Sequence, residues 1–188
     1  MKTPAAIRRH LPPLVLSFYV LLLAACGYYN PNVLPDVRDL PPTRLYAPMW
    51  TNSTSEFGLE NRAYNSISDW LIQSGRVILV PNEEQADFIL SGRIASVSYP
   101  GFSYDAKSAA RSLKAVMTSA LEIREKASGK VLWQTNSLRL EETYNLGASS
   151  AQTDRNKREV LDLLVEDLGE QVYLRLFRIL ASHHRRQP

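Results

Sequence analysis

Residues 113–125 constrain the fold most, because apolar and polar side chains alternate along the whole stretch. This period is typical of a strand with one buried face and one face that is wet or half covered. The apolar positions are Leu113, Ala115, Met117, Leu121 and Ile123, and the polar ones are Lys114, Thr118, Glu122 and Arg124. The tight hairpin signal Ala127–Lys130 follows, so residues 131–144 are predicted to return as the last strand. Their apolar face changes sides between Trp133 and Leu138, which predicts a bulge or strong bend near residues 135–137.

Residues 43–80 have the pattern of a strand, a helix and a second strand. Residues 43–50 alternate, and Pro48 favours an edge or a strand end. Capping-type residues at 52–55 precede a helical stripe that Gly75 ends. The stripe consists of Leu59, Ala63, Ile67, Trp70 and Leu71. Residues 76–80 form a short β-branched run, so the unit predicts two parallel strands with a right-handed crossover.

The rest of the body supplies one more strand and a long helix. A strand is predicted from Ala86 to Tyr99, where Pro100 and Gly101 break it. Apolar residues at steps of three and four over residues 154–182 predict an amphipathic helix of about 40 Å. This helix would also suit a coiled-coil partner, but the stripe lacks strict heptads and covering the sheet is its simpler use. We therefore expect an α/β (α+β) two-layer sandwich: a mixed sheet of four to five strands with two helices packed on one face.

The N-terminal segment has the layout of a bacterial lipoprotein leader. Lys2, Arg8 and Arg9 precede a short apolar run, which ends at Leu23-Ala24-Ala25-Cys26. The alternatives are a plain signal peptide and a membrane anchor, but the run is shorter than the roughly 20 residues of a span. The sequence predicts a signal peptide over residues 1–25 and lipidation of Cys26, with a diacylglycerol on the thiol and a further palmitate-type acyl chain on the new amine.

The boundaries that follow from this leader divide the chain into four parts. Residues 26–42 are rich in proline and are predicted to form a lipidated tether, although this segment would also be able to pack along the body. Residues 43–182 form the single sandwich domain, and residues 183–188 are predicted to be a frayed basic tail.

Charge and composition exclude several functional classes. The net charge of +3 comes from 22 basic and 19 acidic residues, and the leader holds three cations and no acid. The mature chain is therefore balanced in charge, and we expect no nucleic-acid partner. The only cysteine is the predicted lipidation site, and the three histidines are His10 in the leader and His183 and His184 in the tail. We expect no metal site and no cofactor.

The sequence also lacks an arrangement that would support catalysis. No cysteine–histidine pair, no serine–histidine–acid triad and no phosphate-binding glycine loop is present. Glu141 and Glu142 are adjacent in a predicted strand and would point to opposite faces. We therefore expect that the protein is not an enzyme.

Five cations are predicted to meet at one end of the sheet. If the last three strands form a meander, the turn around residues 100–112 and the segment after Tyr144 lie at the same end. The cations are Lys107, Arg111, Arg155, Lys157 and Arg158. They would bind phosphate or carboxylate groups by charge-assisted hydrogen bonds, or they are simply solvated lysines and arginines. Tyr99, Phe102, Tyr104 and Tyr144 surround the first loop, either as a partner surface or as a plug for the core.

Several motifs, in their order and spacing, resemble the LPS-assembly lipoprotein family LptE over nearly all of the mature chain. They are Cys26-Gly27-Tyr28, Gly58-Leu59-Glu60, Ala86-Asp87-x-Ile89-Leu90-x-Gly92-x-Ile94, Ser128-Gly129-Lys130-Val131-Leu132-Trp133 and the long last helix. The resemblance implies a lipoprotein of the Gram-negative outer membrane that plugs the LptD β-barrel, helps it assemble and contacts lipopolysaccharide. It implies lipopolysaccharide contacts at Lys107 or Arg111, and at Arg155 or Lys157.

Localisation and function remain open to one alternative. Gly27 follows Cys26, so the acidic residue that retains lipoproteins at the inner membrane in enteric-type sorting is missing, which indicates the outer membrane. An adaptor lipoprotein of another envelope transport or secretion complex would share the anchor and the sandwich. Such an adaptor would neither fill a barrel nor bind lipopolysaccharide.

Overall fold

The computed structural model describes residues 42–184 as a mixed seven-stranded sheet covered by two helices. The predicted leader, Cys26 and the tether up to Pro41 lie outside the described residues, as do residues 185–188. The strands are β1 Thr43–Tyr46, β2 Thr51–Asn52, β3 Val77–Leu79, β4 Phe88–Ser98, β5 Gly101–Tyr104, β6 Ala110–Glu125 and β7 Val131–Asn145. The helices are α1 Leu59–Gln73 and α2 Ser150–His184. The predicted sandwich is confirmed, with more strands than the four to five expected.

The strand–helix–strand unit at the start of the body is confirmed. β1 pairs with β3 in parallel, and α1 connects them. The strand predicted over residues 43–50 ends at Tyr46, and a second short strand, β2, begins at Thr51. Both β1 and β2 pair in parallel with β4. Pro48 lies between them, and since proline has no backbone N–H to donate, the ladder stops there.

The start of α1 differs from the expected capping cluster. The N-cap residue is Gly58, with φ of 75°, and because glycine has no side chain it makes no capping hydrogen bond of the expected kind. The amide of Asn52 instead donates to the Glu56 carbonyl at 2.8 Å and to Glu60 Oε2 at 2.8 Å. The polar residues 52–55 therefore shape the loop before α1 and do not cap the helix. At the other end of α1, Gly75 follows the last turn with φ of 64°, as predicted.

The predicted meander of long strands is present. β6 pairs in antiparallel fashion with β4 on one side and with β7 on the other. Ser119 pairs with Leu138, whereas Leu121 pairs with Thr135, so β7 contains one extra residue at the expected position of the bulge. The bulge lets Trp133 and Leu138 both pack against the core.

The segment after Pro100 was predicted as a turn and contains a strand that the pattern did not show. β5 pairs with β6 through Gly101–Leu113, Ser103–Ser112 and Tyr104–Ala110. All four residues of β5 are exposed, so the strand has no buried face and no alternation to detect.

Helix α2 is longer than predicted and includes two residues of the expected tail. It has 35 residues, which is roughly 52 Å at 1.5 Å per residue. His183 Nε2 lies 3.1 Å from Glu125 Oε1, and the ring meets Phe88 edge-on at 5.5 Å. The expectation of a frayed segment is therefore wrong for His183 and His184, because contacts with the sheet continue the helix through them.

The core lies between the sheet and the two helices. Its fully buried members include Leu45, Leu59, Ile94, Met117, Leu164 and Phe177. The helices approach closely at Gly169, where a Cβ would lie 2.5 Å from Ser66 Oγ. Neither of the described helices is long and apolar enough to cross a membrane.

Candidate functional site

The β5–β6 turn and the β7–α2 junction lie at one end of the sheet, as the meander predicts. The Leu146 N–H donates to the Arg111 carbonyl at 2.9 Å, and the Asn156 amide donates to the Asn145 carbonyl at 2.8 Å. We call this end, formed by residues 100–112 and 145–158 with the loop 53–58 beside them, the cationic end.

The β5–β6 turn has a defined conformation that presents Lys107. Asp105 Oδ1 accepts the backbone N–H of Lys107 at 2.8 Å and that of Ala109 at 2.9 Å. Ser108 adopts a left-handed conformation with φ of 61°. The Lys107 and Arg111 side chains are exposed, and neither has an ion-pair partner within residues 42–184.

The first turns of α2 present two more exposed cations. The Gly147 N–H donates to Thr153 Oγ1 at 2.9 Å, and the Gln152 N–H donates to Ser149 Oγ at 3.3 Å, which fixes the entry to the helix. Arg155 and Arg158 follow on the exposed surface, and each lacks an ion-pair partner in the described part of the chain. Phosphate oxygens would be suitable partners for such guanidinium groups.

Lys157 has a different environment from the other four cations. Its Nζ lies 2.6 Å from Glu56 Oε1 and 4.5 Å from the centre of the Tyr99 ring. The Tyr99 hydroxyl donates to the same Glu56 oxygen at 2.8 Å. The structure thus places Lys157 in an ion pair that joins α2 to the loop before α1.

The pKa values of this cluster follow from its geometry. Burial raises the pKa of Glu56, but hydrogen bonds from Lys157 and Tyr99 outweigh burial and hold that pKa below its usual value. Burial, followed by the hydrogen bond to Glu56, raises the pKa of Tyr99. Glu56 is therefore a carboxylate and Tyr99 a neutral donor at neutral pH.

The four aromatic residues near the first loop divide into two groups. Tyr144 is buried, and its ring meets the Tyr99 ring edge-on at 6.2 Å, so these two close the core. Phe102 and Tyr104 are 56% and 59% exposed on β5. Lys114 Nζ lies 5.2 Å from the centre of the Phe102 ring.

The opposite end of the sheet holds a cavity that the sequence did not indicate. It has a volume of about 440 Å³ and is lined by residues that include Arg44, Asp87, Phe88, Glu125, Lys126 and His183. Arg44 Nη2 donates to Asp87 Oδ1 at 2.7 Å, and this hydrogen bond is the main cause of the lowered pKa of Asp87. The lining charges of both signs are thus largely paired with each other. Contacts between segments distant in sequence form the cavity, so no local pattern could predict it.

The structure separates the two carboxylates that the sequence singled out, Glu141 and Glu142. Glu141 bonds Lys114 Nζ at 2.8 Å and Arg139 Nε at 2.5 Å, and these hydrogen bonds lower its pKa. Glu142 is its neighbour in β7 and therefore points to the other face of the sheet. Within residues 42–184, no cluster of three or more histidine, cysteine and acidic residues is arranged to hold a metal ion.

The fold and the site define an α/β sandwich protein whose distinctive surface is a cationic and aromatic end. The sequence profile of the LptE family, described as lipopolysaccharide-assembly, matches residues 43–176. This match covers most of the chain, and the chain belongs to the LptE family.

Solved structures support the fold assignment. The hypothetical protein CT253 from Chlamydia trachomatis is similar with a TM-score of 0.54 and 12% identity, over 75% of this chain and 99% of that chain. The uncharacterized lipoprotein B from Nitrosomonas europaea is similar with a TM-score of 0.52 and 16% identity, over 77% and 90% of the two chains. At these identities the likeness shows a shared fold. No curated protein matches the sequence significantly.

Proposed function

We propose that this protein is an outer-membrane lipoprotein that plugs the LptD β-barrel, helps it assemble and contacts lipopolysaccharide during insertion into the outer leaflet. The observation that carries the proposal is the LptE family match over residues 43–176, which spans all seven strands and most of α2. The lipid anchor at Cys26 and the outer-membrane destination belong to the same proposal. They rest on the sequence Leu23-Ala24-Ala25-Cys26 at the end of the leader and on Gly27 after it.

The sheet face away from the helices supports the plug. Most of its side chains are small, polar or charged, as Ser91, Ser98, Thr118 and Ala120 illustrate, and no described helix covers it. The apolar exceptions are Ile78, Ile89 and Val116. A shallow cavity of about 210 Å³ on this face is lined by residues that include Arg93, Glu122, Gln134 and Asn136. The lumen of an outer-membrane barrel is polar, so a polar sheet face is a suitable surface to lie against its wall.

The exposed cations support the contact with lipopolysaccharide. Lys107, Arg111, Arg155 and Arg158 extend from two segments that share one end of the sheet. Phosphate groups would accept charge-assisted hydrogen bonds from them. Lys157 contributes in a different way, because its ion pair with Glu56 fixes the first turns of α2 that carry Arg155 and Arg158.

Co-purification tests the plug directly. The full-length chain is expressed in a Gram-negative envelope, extracted in mild detergent and isolated by an affinity tag. We expect a large β-barrel of the LptD type to be recovered in equal amount. Recovery with another envelope complex and no barrel would contradict the plug and support the adaptor alternative.

Charge reversal tests the lipopolysaccharide contact separately. Lys107→Glu with Arg111→Glu, and Arg155→Glu with Arg158→Glu, should each weaken lipopolysaccharide binding while the barrel is still recovered. Lys126→Glu with Lys130→Glu is the matched control, since these lysines lie in the β6–β7 turn at the opposite end. Equal binding by all three double variants would remove the cationic end from the proposal and leave the plug intact.

A further inference from the structure

The cavity at the end of the sheet opposite the cationic end lies where the described part of the chain begins. Its volume is about 440 Å³, and Pro42, the first described residue, forms part of its wall. His184, the last described residue, lines it as well. Both segments that lie outside the described residues therefore start at this cavity, which we call the Pro42 cavity.

The Pro42 cavity has an apolar wall that is continuous with the core. Ala86 and Phe88 line the cavity and are only 6% and 5% exposed. Phe88 belongs to the main core cluster, so an apolar side chain that entered the cavity would extend the core. Burial of one large aliphatic side chain is sufficient to favour such a docked state by about tenfold or more.

One cation on the rim is left over when the other lining charges are paired. Arg44 Nη2 lies 2.7 Å from Asp87 Oδ1, and Glu125 Oε1 lies 3.1 Å from His183 Nε2. Lys126 lines the cavity too, and the described part of the chain supplies no ion-pair partner for its side chain. The rim is therefore a suitable place for one further acidic group.

The two segments outside the described residues differ in what they can offer the cavity. Residues 185–188 have the sequence Arg-Arg-Gln-Pro, with two cations and no large apolar side chain. Residues 36–41 have the sequence Asp-Val-Arg-Asp-Leu-Pro, with two acids, one cation and two large apolar side chains. Both the apolar wall and the unpaired cation therefore favour the segment before Pro42 over the C-terminal tail.

Leu40 is the large apolar residue closest in sequence to Pro42. Two residues separate their positions, so the two Cα atoms are at most about 7 Å apart and Leu40 can reach the cavity. A proline restricts its own φ and the residue before it, so fixing Leu40 and Pro41 costs less conformational entropy than fixing an ordinary pair. A segment attached at the cavity wall also has a high effective concentration there, which favours it over a weakly bound solute.

We propose that residues 39–41 dock in the Pro42 cavity, with the Leu40 side chain against Phe88 and the Asp39 carboxylate paired with Lys126. Residues 27–38 then remain as the connection to Cys26. A shorter connection holds the body at a higher effective concentration beside the surface that carries the predicted lipid. This docking goes beyond the proposed function, since it requires neither a barrel nor lipopolysaccharide.

Methyl NMR of the full-length chain in mild detergent tests the docking without altering the native segment. Alanine and leucine methyl groups are labelled, and Leu40→Ile and Leu34→Ile assign the two leucine signals. We expect nuclear Overhauser effects from the Leu40 methyl groups to the Phe88 ring and to the methyl group of Ala127, which lines the same cavity. Leu34 is the internal control, because it is the same residue type six positions earlier, and it should show neither effect.

The ratio of docked to undocked molecules should depend on Leu40. The methyl shift of Ala127 reports this ratio when the tether is altered, because Ala127 lines the cavity. Leu40→Ser should lower the ratio about tenfold, since the burial of the leucine is lost. The matched variant Leu34→Ser should leave the ratio unchanged.

The charge on the rim should contribute a smaller part. Lys126→Glu should lower the docked-to-undocked ratio about threefold, read from the Leu40 methyl shift, because the new carboxylate repels Asp39. Lys130→Glu is the matched control in the same turn, since Lys130 is not among the residues that line the Pro42 cavity. Equal effects of the two charge reversals would contradict the Asp39–Lys126 pair.

Two further results would overturn the docking. One is a Leu40 methyl signal at the position of an unfolded chain, with no Overhauser effect to the cavity. The other is an Ala127 signal that responds to deletion of residues 185–188 and not to Leu40→Ser, which would assign the cavity to the C-terminal tail. The Overhauser effects of the wild type decide the test if a variant unfolds. Barrel co-purification is read independently, so the docking and the proposed function can fail separately.

Discussion

Lys157 Nζ and Glu56 Oε1 lie 2.6 Å apart, which ties the first turns of α2 to the loop that precedes α1. The Glu56 side chain is 15% exposed, and the Tyr99 hydroxyl donates to it as well. Among the lysine and arginine ion pairs of residues 42–184, this pair is therefore the most shielded from water. A partly buried pair of this kind costs more to break by removing one partner than an exposed pair does.

Lys157→Ala should destabilise the protein by about 1–3 kcal/mol, because it leaves the carboxylate of Glu56 without its charged partner. Arg155→Ala and Arg158→Ala are the matched controls on the same turns, and each should change the free energy of unfolding by no more than about 0.5 kcal/mol. Urea unfolding measures all three. Adding Glu56→Gln to Lys157→Ala should recover part of the lost stability, because the unpaired carboxylate is then removed. Equal destabilisation by Lys157→Ala, Arg155→Ala and Arg158→Ala would contradict a stabilising role of the Lys157–Glu56 pair.

The stability of the protein should fall in acid in a way that depends on Glu56. Its folded pKa lies below the ordinary value of 4.5, so its contribution to stability is fully present above about pH 4.5 and is lost as the pH falls through the folded pKa. Thermal unfolding of the wild type and of Glu56→Gln between neutral and acidic pH isolates this contribution, since Asp87, Glu60 and Glu141 titrate in both proteins. The difference in unfolding temperature between the wild type and Glu56→Gln should shrink on acidification. A difference that stays constant would mean that the charge of Glu56 does not stabilise the fold.

Sequence patterns predicted the elements that have one buried face. The alternation in β6, the helical stripe from Leu59 to Leu71 and the change of side between Trp133 and Leu138 each record which residues meet the core. β5 has no buried residue and so left no pattern. The predicted helix also begins too late, near residue 154 instead of Ser150, because the first turns of α2 are mostly exposed and show no apolar stripe.

The candidate site was predictable only in part, and the reason is the distance along the chain between its members. The meander rule placed Arg111 and the segment after Tyr144 at one end of the sheet, and the hydrogen bond from Leu146 agrees. The contact between Lys157 and Glu56 joins segments that no local pattern relates. The division of the aromatics into buried Tyr144 and exposed Phe102 also depends on tertiary packing, which spacing alone does not determine.

Gly92→Ala should destabilise the protein by about 1–3 kcal/mol through overpacking. A Cβ at this position would lie 2.3 Å from Cε2 of Trp50, a side chain that is only 4% exposed and has little room to move. Ser91→Ala, the neighbouring substitution on the opposite face of β4, is the control and should have a much smaller effect. Trp50→Leu in the Gly92→Ala background should lower the additional cost of the alanine, which a double-mutant cycle by urea unfolding measures.

Gly169→Ala tests whether helix propensity or helix packing decides the stability of α2. In an exposed helix interior, alanine would be more favourable than glycine by about 1 kcal/mol. Here the added Cβ would lie 2.5 Å from Ser66 Oγ, 2.7 Å from Trp70 Cδ1 and 3.2 Å from the Ser66 backbone carbon. The serine hydroxyl can rotate away, but the backbone of α1 cannot.

We therefore expect Gly169→Ala to destabilise the protein by about 1–2 kcal/mol, because the clash with α1 exceeds the gain in propensity. The shift of α1 should also weaken the hydrogen bond from Trp70 Nε1 to Glu166 Oε1, which is 2.8 Å long, and change the Trp70 fluorescence. Glu170→Ala, on the exposed neighbouring position of α2, is the control and should leave the fluorescence unchanged. A stabilised Gly169→Ala variant would mean that the helices separate at little cost and that propensity decides.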